Sequence, residues 1–156
     1  MELVTVDSEP LWDQARRLIE EYAASLDFDL AFQDFDRELQ SLRTEYGPPH
    51  GVFVLAWYDG TWIGGGGIRR FSEATCEMKR LYVSPTGRGR GAGRGIAQAL
   101  IAAARKLGYR AMLLDTTPSM ARAQQLYTSL GFTTIAPYRH NPIDGASYWR
   151  LDLFDC

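Results

Sequence analysis

Strand-like and helix-like patterns alternate along this chain, and the alternation predicts an α/β fold. Three observations carry the prediction. Residues 52–58 and 61–71 read as paired strands around Asp59-Gly60, a dipeptide suited to the positive φ values of a tight hairpin turn. Leu11, Ala15, Leu18, Ile19 and Tyr22 recur at the spacing of one helix face. Between a strand-like run ending at Val83 and an apolar helical segment over 96–107, glycine and arginine alternate from Gly87 to Gly95.

The elements follow in order. Residues 3–6 read as a short first strand. Ser8 is placed to cap a helix that carries Pro10 in its first turn, where a missing N–H costs nothing. Phe32, Phe35, Leu39, Leu42 and Tyr46 repeat the helical spacing in a second helix, ended by Gly47-Pro48-Pro49. The hairpin comes next, then a strand over 75–83. The helix after the Gly/Arg stretch stops near Gly108, a C′ glycine. Residues 111–114 form a buried-type strand, Ser119 is placed to cap a helix running to Leu130, and 132–135 and 147–153 supply the last strands. The order is β-α-α-β-β-β-α-β-α-β-β.

The Gly/Arg stretch carries the chemistry. The first turn of a helix has unpaired N–H groups and a partial positive charge, so it attracts anions. Glycine lets the backbone approach a ligand, and the guanidinium groups of Arg88, Arg90 and Arg94 suit phosphate oxygens. The stretch reads as a pyrophosphate cradle; the structural alternative is a tight connection that merely needs small residues. A P-loop requires a Lys that is absent here. A dinucleotide fingerprint fits only as Gly87-x-Gly89-x-x-Ala92, without the βαβ context that motif needs.

What fits is R-x-x-G-x-G, here Arg88-Gly89-Arg90-Gly91-Ala92-Gly93, after the strand Arg80-Leu81-Tyr82-Val83 and Pro85. On these residues the chain resembles the GNAT superfamily of acyl-CoA-dependent N-acyltransferases. The resemblance continues through Ala123, Leu126, Tyr127, Gly131 and Phe132, which match the family's second block, N-x-x-A-x-x-L-Y-x-x-x-G-F. Met120 stands where that block commonly has Asn. The two blocks cover residues 76–132, and the flanks agree with the family's element order.

The resemblance implies a mixed sheet flanked by helices, with 1–156 as one acetyltransferase domain and acetyl-CoA as cosubstrate. It implies that the backbone of Leu81 and Val83 pairs with the pantetheine arm, and that a backbone N–H near Leu81 or Tyr82 polarises the thioester carbonyl. The amides of Arg88, Gly89, Arg90, Gly91, Ala92, Gly93 and Arg94 would hold the pyrophosphate, with Met120 beside the coenzyme. Tyr127 matches the tyrosine near the coenzyme sulfur, a phenol able to protonate the departing thiolate; as a plain core aromatic it would pack beside Leu126 and Leu130. Glu77 matches a strand position that holds the general base in some members. Period-2 alternation puts it on one face with Lys79, Leu81 and Val83, and the structural alternative is a carboxylate paired with Lys79 or Arg69. The implied reaction is direct attack of a primary amine on the bound thioester, with a small-molecule or amino-acid-like acceptor; a protein lysine or N-terminus is the alternative. Many relatives pair as homodimers.

Bulk properties bound these readings. The chain has 156 residues, a net charge of −2, 46% hydrophobic and 23% charged residues, an ordinary globular balance. Wholesale nucleic-acid binding is not expected at that charge, and an RNA-binding reading of the Arg/Gly stretch lacks the aromatic platform that usually accompanies it. A coenzyme-sensing module without catalysis is the other rival. Cys76 and Cys156 have no metal-ligand spacing, so no metal is expected, and Cys76 has no motif-placed partner for covalent catalysis. No stretch approaches a membrane span and Met1–Thr5 is unlike a signal peptide, so the expected location is the cytoplasm, away from membranes. Three further features have bland and functional readings. Gly64–Gly67 marks either a bulge or close access for an acceptor. His140 and His50 are loop histidines, the first in a loop that can border an acceptor pocket. Asp27, Asp29, Asp34, Asp36 and Glu38 are either a solvated helix face or a wall that steers a cationic amine.

Overall fold

The computed structural model describes residues 1–26, 29, 34–118 and 121–154. Asp27, Phe32, Ser119, Met120 and Cys156 lie outside these, so the expectations placed on them are left there.

Seven strands form one mixed sheet in the order β1-β2-β3-β4-β5-β7-β6. The strands are β1 (Glu2–Thr5), β2 (Val52–Tyr58), β3 (Thr61–Arg70), β4 (Thr75–Val83), β5 (Ala111–Thr116), β6 (Thr133–Ile135) and β7 (Ser147–Asp152). The helices are α1 (Glu9–Ser25), α2 (Phe35–Gln40), α3 (Leu42–Tyr46), α4 (Ala92–Lys106) and α5 (Ala121–Ser129). Every neighbouring pair is antiparallel except β4 and β5, whose parallel ladder is short, from Thr75↔Ala111 to Glu77↔Leu113.

Alternation along the strands divides the core. Val54 and Ala56 of β2 join Ile96, Ala97 and Leu100 of α4 on one face. Phe53 and Leu55 meet Trp12, Ala15 and Ile19 of α1 on the other. Asp59 and Gly60 both have positive φ, 48° and 78°, as a primed two-residue turn requires. Helix α4 ends as its sequence predicts: Gly108 N–H bonds Arg105 C=O and Tyr109 N–H bonds Ala104 C=O, the paired bonds of a Schellman motif.

Two expectations need correction. The apolar spacing after residue 32 predicts one helix, but the chain forms α2 and α3 with a break at Ser41 (φ −134°, ψ 39°). The Ser41 hydroxyl donates to Arg37 C=O at 2.9 Å, the local competition that makes serine a poor interior helix residue. The break turns Glu38 inward, so it is not part of a solvated acidic face as Asp34 and Asp36 are. Ser8 does occupy the N-cap position of α1, but its side chain makes no capping hydrogen bond.

Gly64–Gly67 lets both helical layers sit close to β3. A Cβ on Gly66 would lie 3.3 Å from Ile96 and Leu100 of α4, and one on Gly67 would meet Phe53 and Tyr46 at 2.7 Å. Of the two functional readings of this run, the bulge is present. Gly65 pairs with Tyr82 and Gly67 with Lys79, so Arg80 and Leu81 together face Gly66. Gly67→Ala is expected to destabilise the protein by ~1–3 kcal/mol through overpacking, measured by chemical denaturation.

Candidate functional site

The bulge positions the site. Arg80 takes φ +63°, unusual for a side chain with a Cβ, and a bulge of this kind bends its strand. The β4–β5 ladder stops three residues earlier, at Glu77↔Leu113, and from there the two strands part. Arg80 is held by a two-point contact with Glu38, Nε to Oε2 at 2.8 Å and Nη2 to Oε1 at 3.0 Å, both side chains nearly fully buried.

One extra residue in β4 also reverses its alternation. Met78, Leu81 and Val83 all pack with the α4 layer, whereas Tyr82 joins the α1 layer. Leu81 and Val83 are therefore not on the face of Glu77 and Lys79, as strict period 2 would have it. A bulge sets this, and a single strand read by itself does not reveal one.

A cleft of about 800 Å³ opens beside the end of β4 beyond the bulge. Leu81, Tyr82 and Val83 form one wall, and Tyr22, Ser25 and Leu26 at the end of α1 form another. Its base is the cradle, with Arg88, Gly89, Gly91, Ala92 and Gly93, and α5 closes it with Arg122, Ala123 and Leu126. Gly91 is the N-cap of α4 at φ +74°, a conformation that favours glycine. Among the described residues, the first backbone N–H of α4 to find a partner is that of Gly95, bonded to Gly91 C=O at 3.0 Å. The N–H groups of Ala92, Gly93 and Arg94 thus remain for a ligand, at the positive end of a 15-residue helix.

The three cradle arginines divide their tasks. Arg88 lines the cleft. Arg90 instead lays its guanidinium 4.1 Å above the Tyr58 ring, and Arg94 donates to Ser129 Oγ at 2.7 Å. Their side chains brace the cradle from outside and only their backbone remains available to it, which corrects the expectation of three phosphate-facing guanidinium groups. Arg122 lines the cleft from the opposite wall. Its signal in the sequence was its place in the second block, four residues before Leu126. Tyr22, Ser25 and Leu26 had none.

Tyr127 is buried, its ring 5.6 Å from Phe132 and 6.4 Å from Trp149. Burial pushes its phenol well above the ordinary value, with Tyr22 and Asp115 adding to the effect, so it is a proton donor at neutral pH. Glu77 is also fully buried and accepts from three side chains: Arg69 Nε at 3.2 Å, Arg139 Nη2 at 2.8 Å and the Tyr138 hydroxyl at 2.8 Å. Its ion partners are Arg69 and Arg139, and two of the three donors, Tyr138 and Arg139, come from the β6–β7 loop. That loop also donates Asn141 Nδ2 to Asp115 Oδ2 at 3.1 Å. His140 and His50 are exposed. The Cys76 thiol is pushed up to about 12 by burial, which removes the thiolate a nucleophile needs. Among the described residues, no helix is long and apolar enough to cross a membrane.

An elongated ligand with a diphosphate at one end fits these features. The cradle offers N–H groups to the diphosphate, and the backbone edges of β4 and β5 beyond Glu77 and Leu113 are open to an extended amide-bearing arm. Thr116 Oγ1, buried at the end of β5, has no hydrogen-bond partner among the described residues. A seven-stranded mixed sheet, parted at its one parallel pair beside a glycine cradle, defines an acyl-CoA-dependent N-acyltransferase. The comparisons agree. Residues 12–132 match the model of the Acetyltransferase (GNAT) family, and the chain belongs to that family. It is 41% identical over 143 residues to an uncharacterised N-acetyltransferase of Schizosaccharomyces pombe, covering 90% of this chain and 88% of the relative. A GNAT acetyltransferase from Staphylococcus aureus superposes with a TM-score of 0.78 at 17% identity, covering 98% of this chain and all of the other (100%). A putative acetyltransferase from Salmonella typhimurium, solved with its cofactor acetyl-CoA, superposes with a TM-score of 0.71 at 17% identity, covering 100% and 96%.

Proposed function

We propose that this enzyme transfers the acetyl group of acetyl-CoA to the primary amine of a small-molecule or amino-acid-like acceptor, by direct attack with both substrates bound. The observation that carries the reading is the cleft that joins the Gly91 cradle to Leu81–Val83 of β4, the part of that strand beyond its ladder with β5. The coenzyme supplies an activated acyl group as a thioester. The chain holds its diphosphate with the N–H groups of Ala92, Gly93 and Arg94 and with Arg88, and orders its arm along Leu81 and Val83. A backbone N–H at Leu81 or Tyr82 faces the reacting carbonyl and stabilises negative charge there. Tyr127, kept protonated by burial, delivers a proton to sulfur. Glu77, with its oxygens already engaged by Arg69, Arg139 and Tyr138, anchors the β6–β7 loop over the acceptor side and can take a proton only through Tyr138 or water.

A thiol-release screen of grouped amines with acetyl-CoA tests the reading. Turnover with at least one group of small amines or amino acids supports it. Coenzyme binding without release across the panel would overturn it. Tyr127→Phe keeps the ring against Phe132 and Trp149 and removes only the hydroxyl. It is expected to lower kcat about 100-fold with coenzyme affinity unchanged, read by the same assay and by calorimetry.

A further inference from the structure

The chain contains fifteen arginines and only two lysines, Lys79 and Lys106. Lys106 ends α4 on the surface. Lys79 is buried in β4, one residue before the bulge. The other cations turned into this part of the protein, Arg69, Arg80 and Arg139, are arginines, each in direct contact with a carboxylate. Arginine does not lose its proton in proteins, and lysine does so readily once buried. A lysine here, in a chain otherwise committed to arginine, marks a position where a neutral amine has a use.

Its surroundings say which use. Lys79 Nζ lies 3.5 Å from Asp115 Oδ1, a contact that reaches across the parting strands from β4 to β5 and is looser than a tight charge-assisted bond. Asp115 in turn acts on the phenols of Tyr22, which lines the coenzyme cleft, and of Tyr127. The pair therefore bridges β4 and β5 where they begin to part, two residues before Leu81 in the cleft wall and within electrostatic reach of the phenol assigned to the leaving sulfur. Glu77 accepts three hydrogen bonds, from Arg69, Arg139 and Tyr138.

We infer that Lys79 is the group that takes the proton from the acceptor ammonium, with Asp115 stabilising the lysinium that results. The inference rests on the acetyl-transfer reading above. In the step, an N–H bond of the acceptor ammonium breaks and its proton passes to the neutral Lys79 amine. The freed nitrogen lone pair forms the amide bond as the carbon–sulfur bond breaks; Tyr127 gives its proton to the departing sulfur, which leaves as a thiol, and the second proton lost by the nitrogen restores the Tyr127 phenol. Lys79 then returns its proton to water. Burial lowers the Lys79 pKa to about 8; Glu77 and Asp115 act to raise it, and Arg80 and Arg69 to lower it. From the neighbouring elements, Glu38 of α2 is within electrostatic reach, and Tyr22 of α1 and Tyr148 of β7 face Asp115.

Two lysines make the test direct. Protein labelled with nitrogen-15 at the lysine side chains gives two Nζ signals, assigned with Lys106→Arg. Lys79 is expected to titrate near 8; Lys79 titrating at or above about 10, the ordinary lysine range, overturns the inference. In Lys79→Arg, coenzyme affinity by calorimetry is expected to stay within about twofold while kcat/KM for the best amine of the screen falls at least about 100-fold. The acidic limb of the wild-type pH profile near 8 should move toward the ionisation of the acceptor itself. Lys79→Arg keeping kcat/KM and the same limb, or an acetyl group found on Lys79 after turnover, overturns the assignment alone. Lys79 titrating near 8 in a protein that turns over no amine overturns the transfer reading instead.

Discussion

Gly93→Asp is expected to abolish coenzyme binding while leaving the protein folded. A Cβ at this position meets Leu126 Cδ2 at 3.7 Å and Val83 Cγ2 at 3.8 Å, ordinary contacts that require no rearrangement. A carboxylate in the first turn of α4 also complements the helix dipole, so thermal stability should be unchanged or slightly higher. The same carboxylate stands where the diphosphate must approach. Two unit charges about 4 Å apart near a protein surface repel by about 4 kcal/mol, equivalent to roughly 1,000-fold in affinity. Calorimetry with acetyl-CoA and a melting curve on one sample separate the two effects. Binding that survives within tenfold would remove the cradle from the coenzyme site.

Glu38→Ala is expected to cost about 3–5 kcal/mol of stability, because it leaves the Arg80 guanidinium buried without its counter-charge. In a protein of this size that is a fall in Tm on the order of 10 °C. The effect should depend on pH with a definite sign. Burial by itself would raise the Glu38 pKa, but hydrogen bonding to Arg80 and the charges of Arg80, Arg69 and Lys79 outweigh it and hold the carboxyl below its ordinary value. A carboxylate whose folded pKa is depressed contributes stability above the ordinary value near 4.5 and loses it as pH falls through the folded one. The gap between wild type and variant should therefore be full at neutral pH and narrow in acid, as measured by calorimetric unfolding at several pH values. A gap unchanged by acid would mean that Glu38 acts through packing alone. Because Arg80 supplies the bulge, loss of this pair should also weaken coenzyme binding.

What could be read from the residues was mostly what neighbours in the chain decide among themselves. Asp59-Gly60 sets a hairpin turn, Gly108 ends α4, and the apolar stripe from Ile96 to Ala104 buries one helix face, each through contacts a few residues apart. The cradle was legible for the same reason, since its glycines and its helix N-terminus are contiguous. The site residues that escaped, Tyr22, Ser25, Leu26 and Asp115, come from elements far apart in the chain and carry no local pattern of their own.

Tertiary structure decided the rest. The positive φ of Arg80 follows from an offset between β3 and β4, and that offset turned Leu81 and Val83 to the α4 side and parted β4 from β5. The inward turn of Glu38, the clamping of Glu77 by Tyr138 and Arg139, and the stacking of Arg90 on Tyr58 each join residues more than thirty positions apart, or across a hairpin. Sequence alone determined the order of elements and the place of the glycine turn and helix N-terminus to which anion binding is assigned, because hydrogen bonding within a turn or a helix end is local. Which side chains face the reacting atoms was decided by strand register, and a shift of one residue in a sheet exchanges its two faces.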